Sequence, residues 1–373
     1  MHLAIDCMIV GREPSGVERA VVGLVQGLAE ARPPDLRVSL VIADDSRLEP
    51  PDGMELIRAP RLARSRAGRI IYEQAVLPTL LRSAGVELLH GPAYVLPLGW
   101  GGPSVVTIHD TITLTHRQWC KWTNVLHYRK VMTRSATMAR RVIVPSEDAR
   151  RGVVEHLGVE PARVVVAPLG VSGDFRPADP DAVRAAMERH GLHERYLLCV
   201  GNLEPRKNLP AVIDSFEAIS GLIPHDLVLV GKRGWRCGPI LRAMRASPVT
   251  DRIKWLGWVP EPDLAALYSG AELLVQWSLH EGFGLAPLEA MACGTPVVVS
   301  DGGALPEVAG DAAEVVPLAT GPRRLAERLV ALIGDDAARG EMTERGLAHA
   351  ARFTWGAHAQ AAVEAYQEAC RGG

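Results

Sequence analysis

Aromatic residues make up only 5% of this 373-residue chain. So few rings leave little material for base-stacking platforms, which argues against nucleic-acid binding. An excess of either charge is also missing. Lys and Arg number 41 against 43 Asp and Glu, a formal net charge of -2, which gives no pull toward a phosphate backbone. The six cysteines (Cys7, Cys120, Cys199, Cys237, Cys293 and Cys370) contain no C-x-x-C pair and read as reduced thiols of a cytosolic protein. No apolar run is long enough to span a membrane, and Met1 to Asp6 enters a strand pattern at once, so no leader is expected. His, Cys and carboxylates form no ligand-spaced cluster. Asp179-Pro180-Asp181 has the spelling of a metal-binding D-x-D but lies in a linker, so no metal site is expected. A G-x-G-x-x-G followed by a ribose-binding acid is absent, which leaves a nicotinamide site unsupported.

What remains is an ordinary globular composition, 47% hydrophobic and 23% charged, at a length that suggests two domains. Strand and helix patterns alternate throughout, which predicts an α/β chain with parallel sheets covered by helices. In the first half the expected strands are Leu3 to Cys7, Val38 to Ile42, Glu87 to Leu89, Ser104 to Ile108, Val142 to Val144 and Val164 to Val166. Ala20, Val21, Leu24, Val25 and Leu28 recur at helical spacing. The second half repeats the grammar with Tyr196 to Val200, Asp226 to Val230, Ile253 to Leu256, Leu273 to Gln276 and Pro296 to Val299. Val171 to Pro180 reads as a linker. The expected division is 1–172, 173–354, and a final helix from 355. Two doubly wound domains with a cleft between them follow, with ligands at the carboxyl ends of the strands.

The most informative run is His280 to Pro296. It places Glu281 and Glu289 on either side of the turn Gly282-Phe283-Gly284, behind a buried strand and ahead of a helix from Ala286 to Cys293. A strand, a glycine turn and a helix N-terminus make a site for anionic oxygen. Eight residues along a helix rise about 12 Å, beyond the roughly 5–9.5 Å of a glycosidase carboxyl pair. The two acids are therefore expected to hold opposite ends of a long ligand. A second run, Gly201 to Leu209, follows a strand and carries Arg206 and Lys207, a fork and a point charge suited to a diphosphate.

These runs resemble the E-x7-E signature and the basic second motif of retaining glycosyltransferases of family 4, which have the GT-B fold of two Rossmann-like domains. The resemblance is strongest from Gly201 to Glu307 and implies a metal-independent enzyme with a nucleotide sugar as co-substrate and no cofactor. It implies that Glu289 holds the ribose and that Arg206 and Lys207 hold the diphosphate. Glu281 and the backbone of Gly282, Phe283, Gly284 and Leu285 would fix the hexose. Gly201, the Gly231-Lys232 corner, and Gly257 with Val259 would lie near the nucleotide. From the first domain, Gly16 would approach the phosphate and His109, at the end of a buried strand, would contact the transferred sugar. The last helix would cross back onto the first domain.

Several of these positions carry a second reading. Ser15 and Glu18 form a capping-box pattern beside Gly16, within the run Gly11 to Arg19. Asp110 either orients His109 or caps the next turn. Ser146 reads as a helix N-cap. Trp277 and His280, unusual before Glu281, are expected to shape the sugar pocket. The run Val230 to Trp235 resembles mannosyl- and rhamnosyl-transferring relatives and implies GDP-mannose ahead of UDP-sugars. The stretch 116–141 holds Arg117, Lys121, Arg129, Lys130, Arg134, Arg140 and Arg141 with Trp119, Trp122 and Tyr128, and no acid. It reads either as a solvated helix face or as a surface for anionic headgroups or a phosphorylated acceptor. Arg61, Arg64, Arg66 and Arg69 add a second basic stretch. The expected location is the cytoplasm, with a peripheral position at the inner membrane face, and the expected acceptor is a saccharide, lipid-linked or natural-product one. A sugar-nucleotide epimerase of the same fold and a silent sugar-nucleotide-binding protein are the competing readings.

Overall fold

The computed structural model describes all residues except 12–14, 45, 47, 121, 194, 372 and 373, and all side chains of the rest except those of 64 and 122–128. Arg12, Glu13, Pro14 and Lys121, with the side chains of Arg64, Trp122 and Tyr128, therefore lie outside the described residues. The chain forms two compact units, Met1–Gly170 with Thr354–Gly373, and Val171–Phe353.

The first unit is built on seven parallel strands: β1 (His2–Asp6), β2 (Arg37–Ile42), β3 (Met54–Arg58), β4 (Leu88–Gly91), β5 (Ser104–Thr107), β6 (Arg141–Val144) and β7 (Val164–Val166), in the order β3-β2-β1-β4-β5-β6-β7. β1, β4 and β5 are buried along their whole length. Continuous apolar runs of this kind suit a sheet with both faces covered. The sequence reading missed β3. Glu55 and Arg58 break its apolar pattern, and it lies at the sheet edge with only Met54 buried. Glu55 pairs with Arg37 of the neighbouring strand at 2.8 Å.

The first helix (Gly16–Ala31) opens on a capping box in which the Glu18 carboxylate accepts the Ser15 N–H at 2.6 Å. Its buried face packs against the C-terminal helix (Trp355–Arg371). Two glycines permit the approach. A Cβ on Gly23 would lie 2.1 Å from the Trp355 ring, and one on Gly27 would lie 2.0 Å from the Trp355 carbonyl oxygen. The Tyr366 hydroxyl meets His90 Nδ1 at 2.8 Å, and Arg140 donates to the Ala369 carbonyl at 2.7 Å. Arg141 pairs with Glu368 at 2.8 Å. Arg140 and Arg141 therefore hold the last helix, which takes two of the seven cations of the basic stretch away from any headgroup role. Arg129, Lys130 and Arg134 are exposed. Among the described residues no helix is long and apolar enough to cross a membrane.

The second unit repeats the design with six parallel strands: β8 (Tyr196–Val200), β9 (Asp226–Val230), β10 (Ile253–Gly257), β11 (Leu273–Gln276), β12 (Val297–Val299) and β13 (Glu314–Val315), in the order β10-β9-β8-β11-β12-β13. β13, also unanticipated, is two residues long and forms the other edge. The direction of strand addition reverses between β8 and β11, the position where doubly wound sheets bind ligands. Asp179 is an N-cap: its side chain accepts the Asp181 N–H at 2.8 Å at the start of the helix Pro180–Arg189. Capping accounts for the D-x-D spelling.

Candidate functional site

Three neighbouring strands of the second unit end on glycines with positive φ. Gly201 follows β8 at 144°, Gly231 follows β9 at 143°, and Gly257 closes β10 at 74°. The backbone links them laterally: Gly201 N–H donates to the Val230 carbonyl at 2.8 Å and Gly231 N–H to the Gly257 carbonyl at 2.7 Å. Two of the three are also sterically required. A Cβ on Gly231 would lie 2.2 Å from the Gly201 carbonyl oxygen, and one on Gly201 would lie 2.6 Å from Cε of Lys207. Gly201 thus leaves the channel through which the Lys207 side chain runs. Over Gly257 the space is open. Lys232 adjoins this row, its N–H donating to the Asn202 side chain at 3.2 Å, and Val259 is buried below it.

Arg206 and Lys207 sit on a short 3-10 turn (Pro205–Lys207) that Asn208, at φ 54°, redirects into the helix Leu209–Ile219. Both cations meet Glu281. Lys207 Nζ donates to Glu281 Oε1 at 2.7 Å, and Arg206 Nη1 donates to Oε2. Ser278 Oγ at 2.8 Å and Gln276 Nε2 at 3.0 Å donate to the same Oε1. Arg206 also donates to Glu204 at 3.1 Å. Burial alone would raise the Glu281 carboxyl, but Arg206 and Lys207 outweigh it and hold the group well below the usual carboxylate range. Burial lowers Lys207, with Glu281 opposing. Burial raises Glu204, with Arg206 opposing. The cluster joins two acids to two cations.

The loop bearing Glu281 is fixed through its backbone. Ala304 N–H donates to the Glu281 carbonyl at 2.9 Å, and a Cβ on Gly303 would lie 2.4 Å from that oxygen. The helix begins at Leu285, one residue before the expected start, behind Gly284 at φ 113°. Glu281 therefore stands outside the helix, so the eight-residue separation from Glu289 is not a helical rise. Glu289 lies inside the helix, 3% exposed, and accepts from the Tyr268 hydroxyl at 2.9 Å. The first-turn N–H groups of this helix have no partners within it. Phe283 packs its ring on Phe353 at 6.1 Å, so only the backbone of the Gly282-Phe283-Gly284 turn is available to a ligand.

Trp277 is corrected. Its indole N–H donates to the Val316 carbonyl at 2.8 Å and the ring belongs to the core of the unit, so it does not shape a sugar pocket. Gln276, Ser278 and Gly303 were missed as supports of Glu281. The one available signal was a pair of hydrogen-bonding side chains just ahead of an acid.

In the first unit His109 is buried, with Nε2 2.9 Å from the Pro92 carbonyl. That contact requires a proton on Nε2 and leaves Nδ1 as the acceptor. Burial lowers its pKa, which favours the neutral ring. Asp110 does not orient it by hydrogen bonding: its carboxylate accepts the Ile112 N–H at 3.0 Å and the Tyr94 hydroxyl at 3.0 Å. Tyr94, at φ 72°, sets its ring edge-on to His109. Gly16 opens the first helix with free space where a Cβ would stand. Ser146 caps the helix Glu147–Leu157, accepting the Ala149 N–H at 3.0 Å. Among the described residues no group of three or more His, Cys, Asp or Glu is placed to hold a metal ion.

Two Rossmann-like sheets, with a charged cluster at the strand ends of the second, define the class of GT-B glycosyltransferases. The comparisons with known proteins agree. Residues 194–335 match the family model described as glycosyl transferases group 1, and residues 14–175 match that of glycosyltransferase family 4. The chain is 30% identical to the O-antigen chain mannosyltransferase B of Escherichia coli over 290 residues, 77% of this chain and 76% of that protein. It is 29% identical to the serotype-specific mannosyltransferase WbdA of Escherichia coli over 70% of its own length, spanning about a third (33%) of that longer protein. Sucrose-phosphate synthase from Thermosynechococcus elongatus has the same fold, with a TM-score of 0.79 at 21% identity over 99% of this chain and 98% of the other. So does Anabaena HepE in complex with UDP-glucose, with a TM-score of 0.75 at 16% identity over 98% and 99%. The chain belongs to glycosyltransferase family 4 and is a glycosyltransferase. Nothing in these comparisons favours the epimerase reading.

Proposed function

We propose that the chain is a retaining, metal-independent hexosyltransferase that moves a hexose, mannose ahead of others, from a nucleotide sugar to a saccharide acceptor. The observation that carries the reading is the Glu281–Arg206–Lys207 cluster beside the glycine row. Arg206 and Lys207 take the donor diphosphate and stabilise the charge that grows as the nucleoside diphosphate leaves. Glu281 holds both cations in place beforehand, so little reorganisation is needed when the donor arrives. Glu281 and the backbone from Gly282 to Leu285 fix the hexose. Glu289 takes the ribose hydroxyls, with Tyr268 orienting its carboxylate. Gly201, Gly231, Lys232, Gly257 and Val259 border the nucleotide. In the first unit, Gly16 and His109 are the residues suited to a phosphate and to a sugar hydroxyl. The neutral His109 offers Nδ1 as an acceptor for a sugar hydroxyl.

The leaving phosphate takes the acceptor's proton on the face it departs from, which retains the anomeric configuration without an enzymic nucleophile. The mannosyltransferase relatives support mannose as the sugar, the run Val230 to Trp235 supports GDP as its carrier, and the UDP-glucose complex of HepE keeps UDP-sugars second. We place the enzyme's work in the cytoplasm, with exposed Arg129, Lys130 and Arg134 available for peripheral contact with an anionic membrane. Nucleoside diphosphate release from GDP- and UDP-sugars in excess chelator, with NMR of the product anomer, tests this reading. Release with retention is expected; inversion, or strict metal dependence, overturns it.

A further inference from the structure

Tyr94 stands in the loop after β4 at φ 72°, in the left-handed region. Among the described residues only Asn208 and Arg236 share a positive φ without being glycine. Asn enters that region readily, and a bulky aromatic does not. Strain of this kind persists only where the surroundings over-determine it, and it gathers at functional sites. The loop around Tyr94 is tightly determined. Gly91, the last residue of β4, lies so close under it that a Cβ would stand 2.1 Å from the Val95 carbonyl oxygen. The Tyr94 N–H donates to the Thr107 carbonyl, at the end of β5, at 2.9 Å. The loop after β4 is thereby tied to the strand that leads into His109.

The side chain continues the tie. Its hydroxyl donates to Asp110 Oδ2 at 3.0 Å, and Asp110 is itself fixed, since Oδ1 accepts the Ile112 N–H at 3.0 Å. Along its length the phenol ring meets the His109 imidazole, with centroids 5.4 Å apart and planes at 68°, an arrangement that aromatic pairs prefer. His109 Nε2 is held by the carbonyl of Pro92, two residues before Tyr94. Among the described residues the His109 ring has no other hydrogen bond. The bond to Pro92 decides which nitrogen carries the proton, but a single hydrogen bond leaves a ring free to tilt about it. The phenol ring removes that freedom. Asp110 thus acts on His109 through Tyr94 and not directly, and the strained backbone belongs to the residue that joins them.

We infer that Tyr94 is a positioning residue for the reaction: anchored by Asp110, it fixes the tilt of the His109 imidazole so that Nδ1 is offered to a sugar hydroxyl in one orientation. The inference rests on the transferase reading above. Three measurements on the full chain test it in the wild type, Tyr94→Gly and Tyr94→Phe. They are nucleoside diphosphate release from GDP-mannose and UDP-glucose, titration of GDP and UDP, and 13C relaxation of the His109 ring, assigned with His109→Gln. Tyr94→Gly suits the left-handed backbone and removes the ring. Its kcat falls about tenfold or more, the scale of a misplaced group at a reacting centre, while its nucleotide affinity stays within about twofold of wild type. The His109 ring is as rigid as the surrounding backbone in the wild type and becomes mobile in Tyr94→Gly. Tyr94→Phe keeps the ring, loses the bond to Asp110, and covers a folding defect in Tyr94→Gly. Its kcat falls about threefold or more, the scale of one hydrogen bond. A wild-type kcat in either folded variant, nucleotide affinity that falls in step with kcat, or an equally rigid His109 ring in Tyr94→Gly overturns the inference. If the wild type releases nucleotide from neither donor, the transferase reading fails, and the ring relaxation still decides whether Tyr94 holds His109.

Discussion

Lys207 reaches Glu281 across 2.7 Å, although 74 residues separate them in the chain. The contact joins the turn after β8 to the loop after β11, the two strands that flank the switch point of the second sheet. Glu281 thus answers to both cations and to Ser278 and Gln276. Glu281→Gln leaves two part-buried cations without their shared anion. The expected loss is about 3–5 kcal/mol of stability, read by denaturant unfolding; a loss under about 1 kcal/mol would place the pair among surface contacts.

The same carboxyl has an acid signature. Its pKa is held below the ordinary value of 4.5 in the folded protein. The group therefore contributes stability that is present above 4.5 and is lost as pH falls through the lower folded value. Wild-type stability should drop on acidification below about pH 4.5. Glu281→Gln should flatten that limb, as seen in melting temperature against pH.

Lys207→Ala removes one stabiliser of leaving-group charge. The expected cost is roughly 10²–10³ in kcat, the scale of one such group. An unchanged kcat in a folded variant would remove Lys207 from the chemistry.

The glycine row predicts an order of damage. Gly231→Ala must force its Cβ against a backbone carbonyl at 2.2 Å and hold a positive φ. Gly257→Ala meets open space and bears only the left-handed backbone cost, about 1–2 kcal/mol. Thermal denaturation should place Gly231→Ala well below Gly257→Ala; equal melting temperatures would contradict the packing described.

Glu73 predicts a slope of opposite sense. Its ordinary value is 4.5 and burial raises it to about 8. The folded state holds the proton that the unfolded chain releases, so this group's contribution is full below 4.5 and is lost as pH rises toward about 8. Glu73→Gln should remove that decline, and its advantage over wild type should grow from pH 5 to pH 8 in unfolding experiments.

Much of this was legible in the residues. The buried strands announced themselves as apolar runs, and the Glu281 and Arg206-Lys207 motifs stood out by residue type and by their glycine turns. Two of the four edge strands did not, because β3 carries Glu55 and Arg58 and β13 has only two residues. Trp277 misled because an aromatic at a strand end looks the same from sequence whether it faces core or ligand. The mutual pairing of Arg206, Lys207 and Glu281 was not legible either, since each was read as addressing a ligand. The hold of Tyr94 on His109 gave no signal: a left-handed tyrosine looks like any other loop tyrosine in sequence, and only the fold brings the two rings together.

The most direct test of the central claim is calorimetric titration of GDP and UDP into the wild type and Lys207→Ala, without metal. The account predicts that one nucleotide binds the wild type and binds Lys207→Ala about tenfold or more weakly, as expected for one lost charged contact. Equal affinity in the two folded proteins, or no binding of either nucleotide to the wild type, would contradict it.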